Sequence, residues 1–243
     1  MRRMRQWVIE TEGLTKHYGA VHAVKGLTLR AAGGRITGFL GRNGSGKSST
    51  IKMLLGIVRP SSGSATLLGR PIDDPREIRE ARRRVAYVHE DKQTYAYMSV
   101  REMIAFTRSF YDDWQPEVER RLLEQYELPT GRKVRTLSKG MRTKLALLLA
   151  LSRRPALLIL DEPSEGLDPV SIEEVLQALL ETAAAGTAVF FSSHQIAEVE
   201  RVADHVCIID RGTLAVDAPL ADIRADPRGG LREVFLDTVA RGA

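Results

Sequence analysis

The sequence holds a single cysteine, Cys207, so no disulfide can close within the chain. It stands in the apolar run Val206-Cys207-Ile208-Ile209, which reads as a buried, inert thiol in a reducing compartment. Long hydrophobic runs are missing too. The longest, Leu145 to Leu151 and Ala156 to Leu160, fall far short of the roughly 18 to 20 residues that cross a bilayer. Met1-Arg2-Arg3-Met4-Arg5-Gln6-Trp7 is basic but has no apolar segment behind it, so no secretory signal is expected and the chain is placed in the cytosol. Neither sign of charge dominates: 36 Lys and Arg stand against 31 Asp and Glu, with small knots only at Arg2/Arg3/Arg5 and Arg82-Arg83-Arg84. Nucleic-acid binders gather their charge in one patch, so no nucleic-acid partner is expected.

What is present is an ordinary globular composition, 243 residues with 43% hydrophobic content, without repeats or low-complexity tracts. Residues 7–12 and 24–30 read as short strands around a polar turn at Lys16 to Ala20, which predicts a small antiparallel sheet. Ile36 to Leu40 is a buried strand that runs into a glycine-rich turn and a helix from Lys47 to Leu55. Between 98 and 152 the periodicity is helical, as in Val100/Met103/Ile104 and Val118/Leu122, which predicts an inserted helical subdomain. Strand, helix, strand, helix and strand follow at 156–160, 171–185, 187–192, 196–203 and 206–210. Such alternation predicts an α/β fold with a mainly parallel sheet covered by helices. Asp168, Pro169 and Gly186 suit the cap, first turn and exit of one helix. The expected organisation is one domain: core 1–90 and 153–226, helical subdomain about 91–152, and a tail 227–243 that ends in the amphipathic stretch Leu231 to Leu236.

Gly41-Arg42-Asn43-Gly44-Ser45-Gly46-Lys47-Ser48 matches G-x-x-x-x-G-K-[ST] between a predicted strand and a predicted helix, the context that a phosphate-binding P-loop requires. Triphosphate needs many N–H donors converging without side chains in the way, and glycines let the backbone curl that tightly. The helix start adds free N–H groups, Lys47 a point charge, and Ser48 a hydroxyl for Mg²⁺. Leu157-Leu158-Ile159-Leu160 ends in Asp161 and Glu162, and parallel sheets carry their reactive groups at such strand ends. Asp161 is expected toward Mg²⁺ and Glu162 toward the attacking water, although two acids after a strand also suit a helix cap. His194 ends another predicted strand, where it reads either as a contact to phosphate and water or as a structural histidine. Ser138 suits a helix cap.

Taken in order, these segments resemble the ATP-binding subunit of ATP-binding-cassette (ABC) transporters over nearly the whole chain. Tyr18 matches the aromatic that stacks on adenine, and Gly41 to Ser48 the phosphate loop, which Ser49 continues. Leu137-Ser138-Lys139-Gly140-Met141 occupies the signature position. Asp161 and Glu162 follow, then Ser164-Glu165-Gly166-Leu167-Asp168 as the loop linking two subunits' sites, and His194 as the switch histidine. The resemblance implies a P-loop NTPase fold, ATP and Mg²⁺ as ligands, and catalytic roles for Glu162, His194 and Lys47. It further implies a dimer, homodimeric or with a paralogue, in which Ser138, Lys139, Gly140 and Asp168 meet the partner's nucleotide. A separate transmembrane subunit would hold the pair at the inner face of the cell membrane.

The signature here is Leu-Ser-Lys-Gly-Met where Leu-Ser-Gly-Gly-Gln is usual, which adds a cation at Lys139 and loses an amide at Met141. Glu90 stands where the family carries Gln, a carboxylate that accepts but cannot donate to Mg²⁺-bound water. Arg42 replaces a common Pro. The Lys-Gly-Met signature and the tail look similar to the exporter subfamily for drugs, antibiotics, lipids or polysaccharides. Three rivals remain at this point: a soluble ABC ATPase, a nucleotide sensor without useful hydrolysis, and another P-loop class such as a kinase or GTPase.

Overall fold

Where the sequence carries unbroken apolar runs, the fold buries them on both faces. The computed structural model describes residues 7–91, 94–227 and 229–241; the Arg2/Arg3/Arg5 knot and the leader reading of the first six residues lie outside the described residues. The chain begins with β1 (Trp7–Tyr18), β2 (Val21–Leu27) and β3 (Arg30–Ala32), then enters β4 (Ile36–Leu40), every residue of which is buried. A glycine turn leads to α1 (Lys47–Leu54), followed by β5 (Ser62–Leu67), β6 (Arg70–Pro71), α2 (Pro75–Arg83) and β7 (Val85–Val88).

The next stretch is helical: α3 (Val100–Arg108), α4 (Pro116–Gln125), a 3₁₀ turn at Val134–Thr136 and α5 (Lys139–Leu151). Ser99 and Glu102 form a reciprocal capping box that starts α3. The apolar stripes predicted from periodicity, Val100/Met103/Ile104 and Val118/Leu122, join Leu145 and Leu148 of α5 in one buried cluster. An isolated bridge between Ser99 and Lys133 is the strand-like pairing in this stretch.

From there β8 (Leu157–Leu160), α6 (Pro169–Ala184), β9 (Ala188–Ser193), α7 (Ile196–Val202) and β10 (His205–Asp210) alternate as the sequence predicts, and β11 (Thr213–Pro219) and α8 (Leu220–Arg224), which the sequence reading does not include, lead to α9 (Leu231–Arg241). Asp168 caps α6 through the backbone N–H groups of Val170 and Ser171, and Pro169 takes the first turn. The predicted amphipathic tail becomes α9, which buries Leu231, Val234 and Phe235.

Two sheets result. The larger runs β11-β10-β4-β9-β8-β7, with parallel pairs throughout except the antiparallel β10–β11 edge. β1 pairs antiparallel with β2, β3 and β5 in the smaller one. Phe39, Phe190 and Cys207 face the cluster shared with α1 and the smaller sheet, while Leu40, Phe191 and Ile208 face the opposite cluster. Cys207 is fully buried, and burial pushes its thiol pKa well up. Parallel strands all end on one side, so the ends of β4, β8 and β9 are carried to the same edge.

Candidate active site

At that edge the chain folds its glycine turn onto its neighbours. Gly41 N–H donates to the Ser193 carbonyl at 3.2 Å, and a side chain at Gly41 would bring its Cβ within 2.5 Å of both Ile209 O and Ser45 Oγ. Gly46 has φ 110°, and a Cβ there would lie 2.4 Å from the Ala23 carbonyl. Only glycine satisfies both demands. Gly46 leaves the start of α1 without a side-chain cap, so its first N–H groups are open to an anion.

Lys47 and Glu162 meet beneath this turn. The Lys47 ammonium donates to the carbonyls of Gly41 at 2.7 Å and Arg42 at 3.1 Å, and lies 3.0 Å from Glu162 Oε1. The other carboxylate oxygen, Glu162 Oε2, is 3.0 Å from His194 Nδ1. Glu162 adopts φ 46°, a left-handed conformation that costs a non-glycine residue about 1 kcal/mol or more. That turn in the backbone directs its side chain toward both Lys47 and His194. One residue earlier, Asp161 Oδ1 accepts hydrogen bonds from Ser48 Oγ at 3.2 Å and Ser192 Oγ at 2.7 Å. Ser192 also accepts from Glu162 N–H at 2.9 Å, so β9 fixes both acids.

These residues border a cavity of about 510 Å³ whose lining includes Asn43, Gly44, Gly46, Lys47, Ser48, Ser49, Glu90 and Glu162. A hydroxyl and carboxylates side by side form a hard-oxygen set that suits Mg²⁺. Ser45 Oγ is buried without a hydrogen-bond partner, which suits it to donate to a phosphate oxygen. Next to the cavity, burial and the charges of Asp161 and Glu90 push the Tyr87 hydroxyl pKa up.

Further residues line the cavity without any motif to announce them: Val21, His22, Ala23 and Lys25 of β2, with Arg211; Glu165 of the linking loop joins them. The β10–β11 turn brings Arg211 in, because Gly212 N–H donates to Ser45 O at 2.9 Å and Lys25 N–H donates to Gly212 O at 2.8 Å. Glu165 Oε2 sits 3.6 Å from His194 Nε2, so the histidine stands between two carboxylates. Tyr18 ends β1 half-exposed beside the Lys16 ammonium, 5.0 Å from its ring centroid, and lies outside the cavity lining.

The other expected residues form a second group. Ser138 caps α5 by accepting the Met141 N–H at 3.1 Å. A Cβ on Gly140 would come 2.5 Å from Ser171 Oγ, which donates to Asp168 Oδ2 at 2.6 Å. Hydrogen bonds from Ser171 hold the exposed Asp168 carboxyl below its ordinary pKa. Lys139 reaches over the linking loop, its ammonium 2.5 Å from where a Cβ on Gly166 would stand. None of Ser138, Lys139, Gly140 and Asp168 lines the cavity.

Comparison with known proteins gives a consistent result. The family model described as ABC transporter matches residues 24–165. The bacitracin transport ATP-binding protein BcrA of Bacillus licheniformis is 36% identical over 222 residues, covering 89% of this chain and 71% of that protein. Nod factor export ATP-binding protein I of Burkholderia orbicola is 36% identical over 233 residues, 93% of this chain and 76% of its own length. Across such relatives the chain spans 64% to 76% of their length. A solved structure described as the ATP-binding subunit of an ABC transporter superposes with TM-score 0.85 at 29% identity, covering 96% of this chain and 99% of the other.

Proposed function

The chain belongs to the ABC transporter family, as an ATP-binding subunit that hydrolyses ATP, and from that premise we propose how its residues divide the work. The observation that carries the proposal is the buried contact of Lys47 with Glu162 directly beneath the glycine turn, 3.0 Å apart. Triphosphate offers Lys47 a stronger partner than Glu162, so the lysine turns to the phosphates and the carboxylate is released. Glu162 then orients the attacking water and accepts its proton, with His194 holding Oε2. Mg²⁺ neutralises phosphate charge when bound, and Ser48, Asp161 and Glu90 are the residues that would hold it. Ser192 positions Asp161 and the Glu162 backbone. Tyr18 takes the adenine face.

Ser138, Lys139, Gly140 and Asp168 do not line the chain's own cavity, and we assign them to the nucleotide of a second subunit. The core and tail follow the division 1–90, 153–226 and 227–243, and the helical stretch 91–152 is the part that transmits closure. Its surface supports that role: Tyr95, Tyr97 and Phe110 are exposed, and ring contacts run from Tyr97 to Tyr95, from Tyr95 to Phe106 and from Phe106 to Phe110, a patch suited to an apolar partner. We assign that partner as a separate membrane subunit, met at its cytoplasmic face; no helix among the described residues is long and apolar enough to cross a membrane. A relative named for Nod factor export and one named for bacitracin transport favour export as the direction.

Replacing Glu162 by Gln tests the central assignment. That variant should bind ATP, lose nearly all phosphate release and run as a dimer on size exclusion with ATP and Mg²⁺. Wild-type turnover in it would remove Glu162 from the chemistry, and a monomer at saturating ATP would remove the two-subunit site.

A further inference from the structure

At the other end of β10, away from the nucleotide cavity, three side chains of different chemistry converge. His205 and Cys207 are two residues apart on one strand and so share a face, and the antiparallel register sets Asp217 of β11 directly opposite Cys207. His205 Nε2 lies 2.6 Å from Asp217 Oδ1, and Cys207 Sγ donates to the same oxygen at 3.3 Å. All three donor atoms fall within 4.8 Å of one another. None of them takes part in the nucleotide chemistry.

We propose that His205, Cys207 and Asp217 form a binding site for a divalent transition metal of the zinc type. An imidazole, a thiolate and a carboxylate make a mixed N/S/O set that Zn²⁺ or Co²⁺ accepts in tetrahedral geometry and that Mg²⁺ or Ca²⁺ does not prefer. His205 Nε2 and Cys207 Sγ thus converge on one carboxylate oxygen, the place where a cation would bridge all three. On binding, the Cys207 thiol gives its proton to solvent, the imidazole ligates through Nε2 with its proton on Nδ1, and Asp217 contributes an oxygen it already presents. One proton is released and no electron moves.

Access and a fourth ligand are provided on the same side. His205 and Asp217 line a second cavity of about 640 Å³, with Cys207 buried behind them, so water can complete the coordination from the cavity. Its arginines already hold other partners: Arg35 pairs with Asp204 at 3.1 Å, Arg30 with Glu10 at 3.3 Å, and Arg224 donates to the Glu200 carbonyl at 2.5 Å. Because the ligands sit on paired strands, the site is preorganised, and a bound ion would clasp the antiparallel edge to the parallel sheet. Such an ion binds the folded chain and so raises its thermal midpoint.

Co²⁺ titration of the chelator-stripped full chain tests the site. We expect a thiolate-to-cobalt charge-transfer absorption that saturates at one Co²⁺ per chain and is bleached by Zn²⁺. Cys207→Ser should abolish it, and the double variant His205→Gln with Asp217→Asn should weaken Co²⁺ affinity at least tenfold. The cluster of Glu162, Glu165 and His194 has no sulfur and cannot give that band. A folded wild-type chain with no band at saturating Co²⁺ would show the trio to be a hydrogen-bonded strand clasp and overturn the proposal. So would a band undiminished in the double variant, which retains the cysteine even where Cys207→Ser does not fold.

Discussion

Glu162 Oε1 lies 3.0 Å from the Lys47 ammonium, and both side chains are more than nine-tenths buried. The two charges that nucleotide chemistry needs apart are therefore stored together. Each keeps the other compatible with a site largely closed to water, where a lone charge is costly. Phosphate binding exchanges one buried ion pair for another, which lets the lysine change partners without crossing a large barrier in charge burial.

Glu162→Gln keeps the shape of the side chain and removes its charge. Lys47 then has no anionic competitor for the phosphates, so nucleotide affinity should hold or rise, while turnover falls by about 10²- to 10⁴-fold, the scale of a lost general base. Equilibrium binding of a fluorescent ATP analogue and a phosphate-release assay measure the two effects. Affinity that collapses along with turnover would mean that Glu162 shapes the phosphate site and does not act on water.

Lys47→Ala should also cost stability. It withdraws the cation from a carboxylate that is 8% exposed, and breaking such a pair typically costs about 3–5 kcal/mol. Replacing Glu162 by Ala in addition removes the stranded charge, so the double variant should recover more than half of the loss in urea unfolding. Should the double variant be no more stable than the single one, the pair does not carry the coupling assigned to it.

Much of this site is legible in the linear sequence because its chemistry depends on neighbours along the chain. The glycine turn, Asp161 with Glu162, and His194 each end an apolar strand, and buried parallel strands announce themselves by unbroken runs such as Ile36 to Leu40. Residues that reach the cavity from a distance carry no such mark. Val21 to Lys25 come in on the edge of the smaller sheet, and Arg211 arrives because a two-residue turn bonds to Ser45. Among the elements, α2 is hidden by charge, burying only Ile78 and Ala81, yet Asp74 and Pro75 at its start are ordinary helix signals. β11 is hidden by its place at the sheet edge, where none of its residues is fully buried. Its presence explains why His205 and Asp217 meet, a pairing that separation in sequence conceals.

Tyr18 offers a sharp test of how the base is held. Stacking of an aromatic on a nucleobase is worth roughly 1–3 kcal/mol by alanine substitution, so Tyr18→Ala should weaken ATP binding about tenfold and leave turnover at saturation nearly unchanged. The ring now lies half-exposed outside the cavity lining, next to Lys16, and is free to close on a base. Unchanged affinity in Tyr18→Ala, with a loss in His22→Ala, would move the base contact from β1 to β2.

Lys139 separates two roles for the altered signature. Its ammonium reaches over Gly166 of the linking loop, so within one chain it ties the start of α5 to the segment that precedes Asp168. A cation in that place also adds positive charge to the surface that is to meet a second subunit's phosphates. If that charge contributes, Lys139→Gly should weaken ATP-driven dimerisation severalfold at low salt. The difference from wild type should vanish near 1 M salt, where screening acts within about 3 Å. Sedimentation or light scattering across a salt series, in the Glu162→Gln background so that ATP is not consumed, reads this directly. A weakening that persists unchanged at high salt would mean that Lys139 acts by holding the loop in shape. In that case Lys139→Met, which keeps the length of the side chain and drops the charge, should restore dimerisation.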